Sequence, residues 1–148
     1  MSEEVNLYIK TSRESPKPGA GSYIAVLEAT TESGKTGTLT LKKQFDQITP
    51  HQLELNAIND ALHRFKRHVE VKIHSEHGWF ETIRTRGWFE KWQKNSWFVK
   101  GKRAAGAEVL EEIWMLEHVC GITILSTDKN LGTFKTWLDA EIERGETR

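Results

Sequence analysis

The sequence predicts a single α/β domain. Five short segments alternate apolar and polar residues, which is typical of strands with one buried face. Longer segments between and after the later strands carry apolar residues every three or four positions, as amphipathic helices do. Three strands come first and two more are separated by helices, an order that favours a sheet covered by helices. The length of 148 residues suits one core.

The first three strands are predicted to form an antiparallel meander. Residues 5–11, "VNLYIKT", alternate apolar and polar side chains, and "SPKPG" ends the strand with two prolines and a glycine. "SYIAVLEA" and "KTGTLTLKK" are two further strands joined around "TESGK". A meander is the simplest arrangement of three strands joined in this way.

The segment "TPHQLELNAINDALHRFKR" carries the signature of a helix start. Thr49 is the expected N-cap, Pro50 the first helical residue, and Gln52 completes a capping box. One face of this helix is apolar and should be buried; it comprises Leu55, Ile58, Leu62 and Phe65.

The second half of the chain adds two strands and three helices. "VEVKIHS" and "GITILS" are the strands, and one helix is predicted in the Trp-containing segment between them. "AEVLEEIWMLEHV" and "TFKTWLDAEIER" are the other two helices. The last one should turn four side chains inward: Phe134, Trp137, Leu138 and Ile142.

Residues 86–103, "RGWFEKWQKNSWFVKGKR", combine half of the six tryptophans with a run of basic side chains, and we call them the Trp-basic segment. The whole chain has 21 basic and 21 acidic residues, so its formal net charge is zero and gives no general reason to expect nucleic acid, membrane or acidic partners. Any electrostatic function must be local. A core helix with solubilising charges is the alternative interpretation.

The composition also bears on location. The only cysteine, Cys120, excludes an internal disulfide; its apolar neighbours favour a small buried residue in a reducing cytoplasm. No apolar run approaches the roughly 18 residues of a spanning helix, and the start of the sequence is acidic. We therefore expect a cytoplasmic protein without a membrane partner.

Three stretches resemble the type 1 ribonuclease H family. "HQLELNAINDAL" is similar to the family's helix that begins with a carboxylate, and "VEVKIHSEHGWF" to its strand ending in Asp-Ser. "WFEKWQKNSW" has the Trp spacing of the segment leading into the basic protrusion with which bacterial members grip the DNA strand of a hybrid. The resemblance implies one ribonuclease H-like domain over residues 1–148. It would have a five-stranded mixed sheet, the meander plus two parallel strands, flanked by helices.

The resemblance also implies a two-metal site built from carboxylates, and this chain departs from it. Lys10 stands where the first aspartate is expected, Glu54 is retained, and His74 replaces the third carboxylate. At the fourth position, alignment on Asn130 gives Phe134, whereas a one-residue insertion gives Asp139, whose ordinary interpretation is a solvated helix residue. We expect catalysis to be lost and no cofactor to be bound.

Two further hypotheses concern this site. Lys10 is predicted to replace the metal and to pair with Glu54, offsetting the cost of a half-buried carboxylate. Alternatively His74, His77 and Glu54 would suit a softer ion such as Zn²⁺ or Mn²⁺.

Three functions remain open. The first is an inactive module that binds an RNA–DNA hybrid or a similar duplex. The second is a protein-interaction module whose basic segment binds an acidic partner. The third is a nuclease with Mg²⁺ or Mn²⁺ held by Glu54, His74 and Asp139 or Asp128, which requires Lys10 to point away. The predicted nucleic-acid contacts, with the tryptophans as scaffold or as stacking surfaces, are Arg86, Trp88, Lys91, Trp92, Lys94, Trp97, Lys100, Lys102 and Arg103.

Overall fold

A five-stranded mixed sheet lies at the centre of the protein. The computed structural model describes residues 3–12, 17–30, 34–65, 68–99, 101–103 and 106–146. In chain order the elements are β1 (Glu3–Thr11), β2 (Gly19–Thr30), β3 (Thr36–Ile48), α1 (Pro50–Leu62), β4 (Val69–Ser75), α2 (Trp79–Thr85), α3 (Trp88–Lys94), β5 (Phe98–Val99), β6 (Lys102–Arg103), α4 (Ala107–His118), β7 (Thr123–Asp128) and α5 (Lys135–Glu146), with a 3-10 turn at Gly132–Phe134. The strand order is β3-β2-β1-β4-β7. β1, β2 and β3 pair antiparallel, while β4 pairs parallel with β1 and with β7, so the predicted mixed sheet is confirmed.

The two faces of the sheet carry different side chains. Val5, Leu7 and Ile9 of β1 are fully buried in the larger core cluster, which also contains the apolar side chains of α1 and α4. The intervening Tyr8 packs against the smaller cluster on the other face, which contains Leu138 of α5. Successive strand residues alternate between faces, so β1 divides its side chains between α1 on one side and α5 on the other.

The start of α1 is the capping box that the sequence predicts. The Thr49 hydroxyl accepts the Gln52 backbone N–H, and the Gln52 side chain accepts the Thr49 N–H. The helix ends at Leu62, earlier than the apolar spacing indicates, and Phe65 lies beyond it, half-buried. Among the helices of the described ranges, none has the length and apolar character that crossing a membrane requires.

The Trp-basic segment and the residues before it form two short helices rather than one. α2 and α3 are separated at Gly87, whose φ of 72° is left-handed and therefore favours glycine. A small antiparallel pair, β5 with β6, follows α3. The prediction of a single helix here is wrong because the chain turns at Gly87 and starts a new helix.

Two side chains predicted to be buried are exposed. Cys120 lies just after α4, next to Val119, which is 64% exposed, because the chain leaves the helix there before entering β7. Trp137 of α5 is 42% exposed, whereas its neighbour Leu138 is fully buried. α5 therefore presents a narrower apolar face than the sequence indicates.

Trp97 is the tryptophan of the segment that belongs to the core. Its side chain is only 4% exposed and packs against Phe89 of α3, with 5.6 Å between ring centroids. Its φ of 68° is unusual for a bulky residue. Its backbone N–H donates to the Trp92 carbonyl at 2.6 Å, which closes the end of α3. Burial of the indole thus stabilises a strained backbone where the segment leaves α3.

We predict that Trp97→Ala lowers the free energy of unfolding by about 3–5 kcal/mol, because it removes a buried aromatic side chain and leaves a cavity. Trp137→Ala, at an exposed position, serves as the matched control and should cost less than about 1 kcal/mol. Urea denaturation followed by circular dichroism measures both values. Equal, small losses in the two variants would show that Trp97 is not part of the core.

Candidate functional site

Four charged side chains meet at the end of β1. The Lys10 Nζ lies 2.8 Å from Glu76 Oε2 and 3.1 Å from Asp139 Oδ1. The Lys135 Nζ lies 2.7 Å from Glu76 Oε1 and 3.1 Å from Asp139 Oδ2. These four residues, which we call the Lys10 cluster, contain two ammonium groups and two carboxylates and are formally neutral.

Strand register explains how the cluster forms. Tyr8 of β1 lies opposite His74 of β4, and Lys10 and Glu76 each follow two residues later. Two residues along a strand the side chain returns to the same face, and on this face α5 supplies Asp139 and Lys135. Glu76 is not among the residues that the sequence predicts for this site, although its spacing from His74 could have indicated it.

The four groups of the Lys10 cluster stabilise one another's charged forms. Hydrogen bonds from Lys10 and then Lys135 lower the pKa of Glu76, and the close contact with the Lys10 ammonium is the largest cause that lowers the pKa of Asp139. For Lys10 the largest single effect is burial, which lowers the pKa, but its bonds to the two carboxylates outweigh it and the pKa is raised. All four groups are therefore charged at neutral pH.

Glu54 lies on the opposite face and does not contact Lys10. Its carboxylate is fully buried and accepts the Ser75 hydroxyl at 2.7 Å and the Phe80 backbone N–H at 2.5 Å. Burial raises its pKa, against the opposing effect of these hydrogen bonds. The predicted Lys10–Glu54 pair is wrong because Lys10 faces α5, while Glu54 of α1 packs on the face of Ile9.

His74 contacts Asp128, one of the two aspartates named for the rearranged nuclease site, and its other partners are Asn6 and Tyr8. Its Nδ1 lies 2.7 Å from Asp128 Oδ1, its Nε2 lies 2.9 Å from Asn6 Oδ1, and its ring stacks on Tyr8. Within the described residues, no three His, Cys, Asp or Glu side chains are grouped as metal ligands. The predicted set of His74, His77 and Glu54 is therefore not formed.

The structure also distinguishes Phe134 from Asp139, the two candidates for the position of the fourth carboxylate. Asp139 is not a freely solvated helix residue, because it contacts Lys10 and Lys135. Phe134 instead packs its ring on Tyr8, with 4.7 Å between ring centroids. Asp139 is thus the carboxylate that α5 contributes to this site.

The surface of α3 combines aromatic rings with exposed cations. Trp88 and Trp92 lie one helical turn apart and stack with 5.8 Å between ring centroids, each half-buried, as the four-residue spacing predicts. The Arg86 guanidinium lies over Trp88 at 5.3 Å. Arg86, Lys91 and Lys94 are exposed, as expected. The rings therefore offer stacking surfaces beside the cations.

The remaining predicted contacts are distributed differently. Trp97 is buried and serves as scaffold. Lys100 lies outside the described residues, as do the side chains of Lys102 and Arg103, whose backbone forms β6. Arg84 in α2 is engaged with Glu117 of α4 through bonds of 3.1 and 3.0 Å, so it belongs to the packing of the two helices.

Comparison with known proteins identifies the architecture. No model of a known protein family and no curated protein sequence matches this chain. The crystal structure of LC9-RNase H1, a type 1 RNase H with the type 2 active-site motif, matches with a TM-score of 0.71 at 13% identity, over 98% of this chain and 72% of that chain. A foamy viral protease-reverse transcriptase in complex with dsDNA matches with a TM-score of 0.61 at 11% identity, over 96% of this chain and 90% of that chain. The foamy viral protease-reverse transcriptase in complex with an RNA/DNA hybrid matches with a TM-score of 0.59 at 11% identity, over 96% of this chain and 19% of that chain.

The protein has a ribonuclease H-like fold. At these identities the likeness concerns the architecture, and the chemistry of this chain must be derived from its own residues. In this ribonuclease H-like fold, Glu76 and Asp139 lie at the end of β1 with Lys10, whereas Glu54 lies on the other face of the sheet beside Ser75.

The carboxylates present do not fit a pair of magnesium ions. Mg²⁺ requires oxygen ligands in near-octahedral geometry. Both oxygens of Glu54 accept hydrogen bonds, and both oxygens of Glu76 and of Asp139 contact a lysine ammonium. A divalent ion would have to displace Lys10 from the cluster and would meet its positive charge nearby.

We predict that Lys10→Met lowers the free energy of unfolding by about 1–2 kcal/mol, because Glu76 and Asp139 then share one cation instead of two. Adding Glu76→Gln should recover part of the loss, and the double-mutant cycle should give a coupling of about 0.5 kcal/mol or more. Lys72→Met, which removes an exposed pair with Glu4, is the control and should leave the stability close to that of the parent, because water and salt screen an exposed pair. Urea denaturation provides all of these values, and a coupling near zero would contradict the assigned ion pair.

The raised pKa of Glu54 gives a pH-dependent prediction. The folded state binds this proton more tightly than the unfolded chain, so the stabilisation is fully present below the unfolded pKa and is lost as the pH rises through the folded pKa. In the Glu54→Gln variant this side chain does not titrate, and all other titratable groups are the same as in the parent. The stability of the parent relative to Glu54→Gln should therefore increase as the pH falls from about 7.5 to about 5. Urea denaturation at several pH values measures this difference, and a constant or decreasing difference would show that the Glu54 pKa is not raised.

Proposed function

We propose that this protein is a catalytically inactive ribonuclease H-like module that binds nucleic acid through its Trp-basic segment. The ligand would be an RNA–DNA hybrid or a duplex of similar A-like shape. The observation that carries the proposal is the position of the Lys10 ammonium between Glu76 and Asp139. A cation of the chain itself neutralises the carboxylates that would otherwise attract a metal.

Electrostatics supports the loss of catalysis. Two-metal hydrolysis needs carboxylates to neutralise two divalent ions that activate water and stabilise the leaving oxygen. In the Lys10 cluster each carboxylate charge is matched by a lysine, so the cluster has no excess negative charge to offer. The alternative nuclease required Lys10 to point away, but its ammonium points into the cluster.

Charge and exposure support nucleic-acid binding by α3. Exposed Arg86, Lys91 and Lys94 can contact phosphates, and the half-buried Trp88 and Trp92 can stack on a sugar or a base. The foamy viral enzymes with the same fold are in complex with dsDNA and with an RNA/DNA hybrid. In this proposal residues 86–103 serve as a basic protrusion of the single domain.

The expected affinity is modest. Non-specific affinity depends on how many phosphates are neutralised, and a patch of about five basic residues on a chain of zero net charge supports micromolar-class binding. A reducing cytoplasm is the proposed location, because an exposed thiol such as Cys120 is stable there.

The test is fluorescence anisotropy of a labelled RNA–DNA hybrid titrated with the protein at low and moderate salt. We expect micromolar binding that weakens steeply with salt. The triple variant Arg86→Ala, Lys91→Ala, Lys94→Ala should bind more weakly, and its slope of log affinity against log salt should fall by about 1 for each phosphate that the variant no longer neutralises. Lys42→Ala, Lys43→Ala, Lys72→Ala removes the same charge elsewhere and should keep the slope of the parent.

The same samples test inactivity. Incubation with Mg²⁺ or Mn²⁺ followed by a denaturing gel should leave both strands intact, and cleavage that Glu76→Gln abolishes would contradict the proposal. Equal reductions in affinity in the two triple variants would show that binding depends on net charge and not on α3. Absence of binding in the parent would favour the protein-interaction alternative.

A further inference from the structure

Two histidines from different elements point a ring nitrogen at each other. His51 lies in the first turn of α1, and His77 lies in the connection between β4 and α2. The Nδ1 of His51 is 2.7 Å from the Nε2 of His77. One ring therefore donates a hydrogen bond to the other, and the pair is accessible because His51 is exposed.

One of the two rings is held in place from outside the pair. The His51 ring is stacked on Trp79 at 4.0 Å between centroids, with 5° between the planes. Trp79 in turn packs on Trp88, with 6.0 Å between ring centroids. Because the indole orients the imidazole, a ligand between the two rings meets a partly preorganised pair, which reduces the entropy lost on binding.

The hydrogen bond between the two rings requires a proton on one of the two facing nitrogens. Moving this proton to the outer nitrogen of its own ring would leave both facing nitrogens available as ligands.

The geometry needs only a small adjustment to accept an ion. With Zn–N bonds of about 2.0–2.1 Å, two ligands of a tetrahedral ion lie about 3.3 Å apart, so the present separation must widen by about 0.6 Å. A displacement of this size within the plane of the His51 ring keeps the ring stacked on Trp79.

We propose that His51 and His77 form a two-imidazole site for a divalent transition-metal ion of the Zn²⁺, Ni²⁺ and Cu²⁺ class, with water completing the coordination. The ion would join the first turn of α1 to the connection that follows β4. This site shares no residue with the Lys10 cluster, although His77 directly follows Glu76, and it does not depend on the proposed nucleic-acid binding. Imidazole nitrogen selects ions of this class over Mg²⁺.

Nearby charges act in opposite directions. Lys129 lies over Gly78 and acts on His77, so it disfavours a bound cation. Glu54 acts on His51 with the opposite sign. Two ligands beside a lysine predict an affinity in the micromolar range or weaker, and removal of the lysine charge should tighten binding severalfold.

The experiment is a titration of the full chain, carrying Cys120→Ser to remove the exposed thiol, with Ni²⁺ while tryptophan fluorescence is recorded. Ni²⁺ held by His51 would lie close to Trp79 and quench it. We expect saturable partial quenching that chelation reverses and Zn²⁺ competes away. His51→Gln and His77→Gln should each weaken the apparent affinity at least tenfold, and Lys129→Gln should strengthen it.

His63→Gln is the matched control, because His63 is also an exposed histidine near α1 but its Nδ1 bonds to the Asn59 carbonyl. It should bind Ni²⁺ as the parent does. Absence of saturable quenching up to millimolar Ni²⁺, or equal weakening in His63→Gln, would overturn the proposal. Circular dichroism of each variant separates loss of binding from loss of folding.

Discussion

The ammonium of Lys10, held between two carboxylates, is the interaction on which the rest of the structure depends. It joins the central strand β1 to Glu76 at the end of β4 and to Asp139 of α5, so three elements meet around one positive charge. Together with Lys135, it balances the charges of both carboxylates. The Lys10 cluster therefore fixes the ends of β1 and β4 to α5.

Glu54 has a complementary structural role on the other face of the sheet. It accepts the backbone N–H of Phe80 in the first turn of α2 and the hydroxyl of Ser75 at the end of β4. A buried carboxylate at a helix start is stabilised by the unpaired N–H groups there. Glu54 thus fixes where α2 begins, and α2 positions Trp79 beside Trp88 on α3. Glu54 therefore supports the aromatic surface of α3, whereas the basic side chains of that surface remain exposed to solvent.

The fold could be predicted from local patterns, and the site only in part. The alternation in β1 and β4 and the capping box at Thr49 are signals within one element, which tertiary contacts did not override. The partner of Lys10 depends on register between two strands distant in sequence, and this is why Glu76 was missed and Glu54 was wrongly paired. The break at Gly87 was also missed, because a glycine between two helical patterns resembles an interruption in one helix. The pairing of His51 with His77 has no signal in the sequence, because 26 residues separate them.

The central claim is that Lys10 takes the place of a metal ion, and paramagnetic broadening tests it most directly. Mn²⁺ bound near Glu76 would broaden the amide NMR signals of residues close to it, including those of Ser75, Glu76 and Asp139. With the parent protein we predict no selective, saturable broadening of these three signals at sub-millimolar Mn²⁺, and its appearance in Lys10→Asp, which removes the cation and adds a carboxylate. Selective, saturable broadening of these signals in the parent would contradict the claim, because it would show that a metal ion binds beside Lys10.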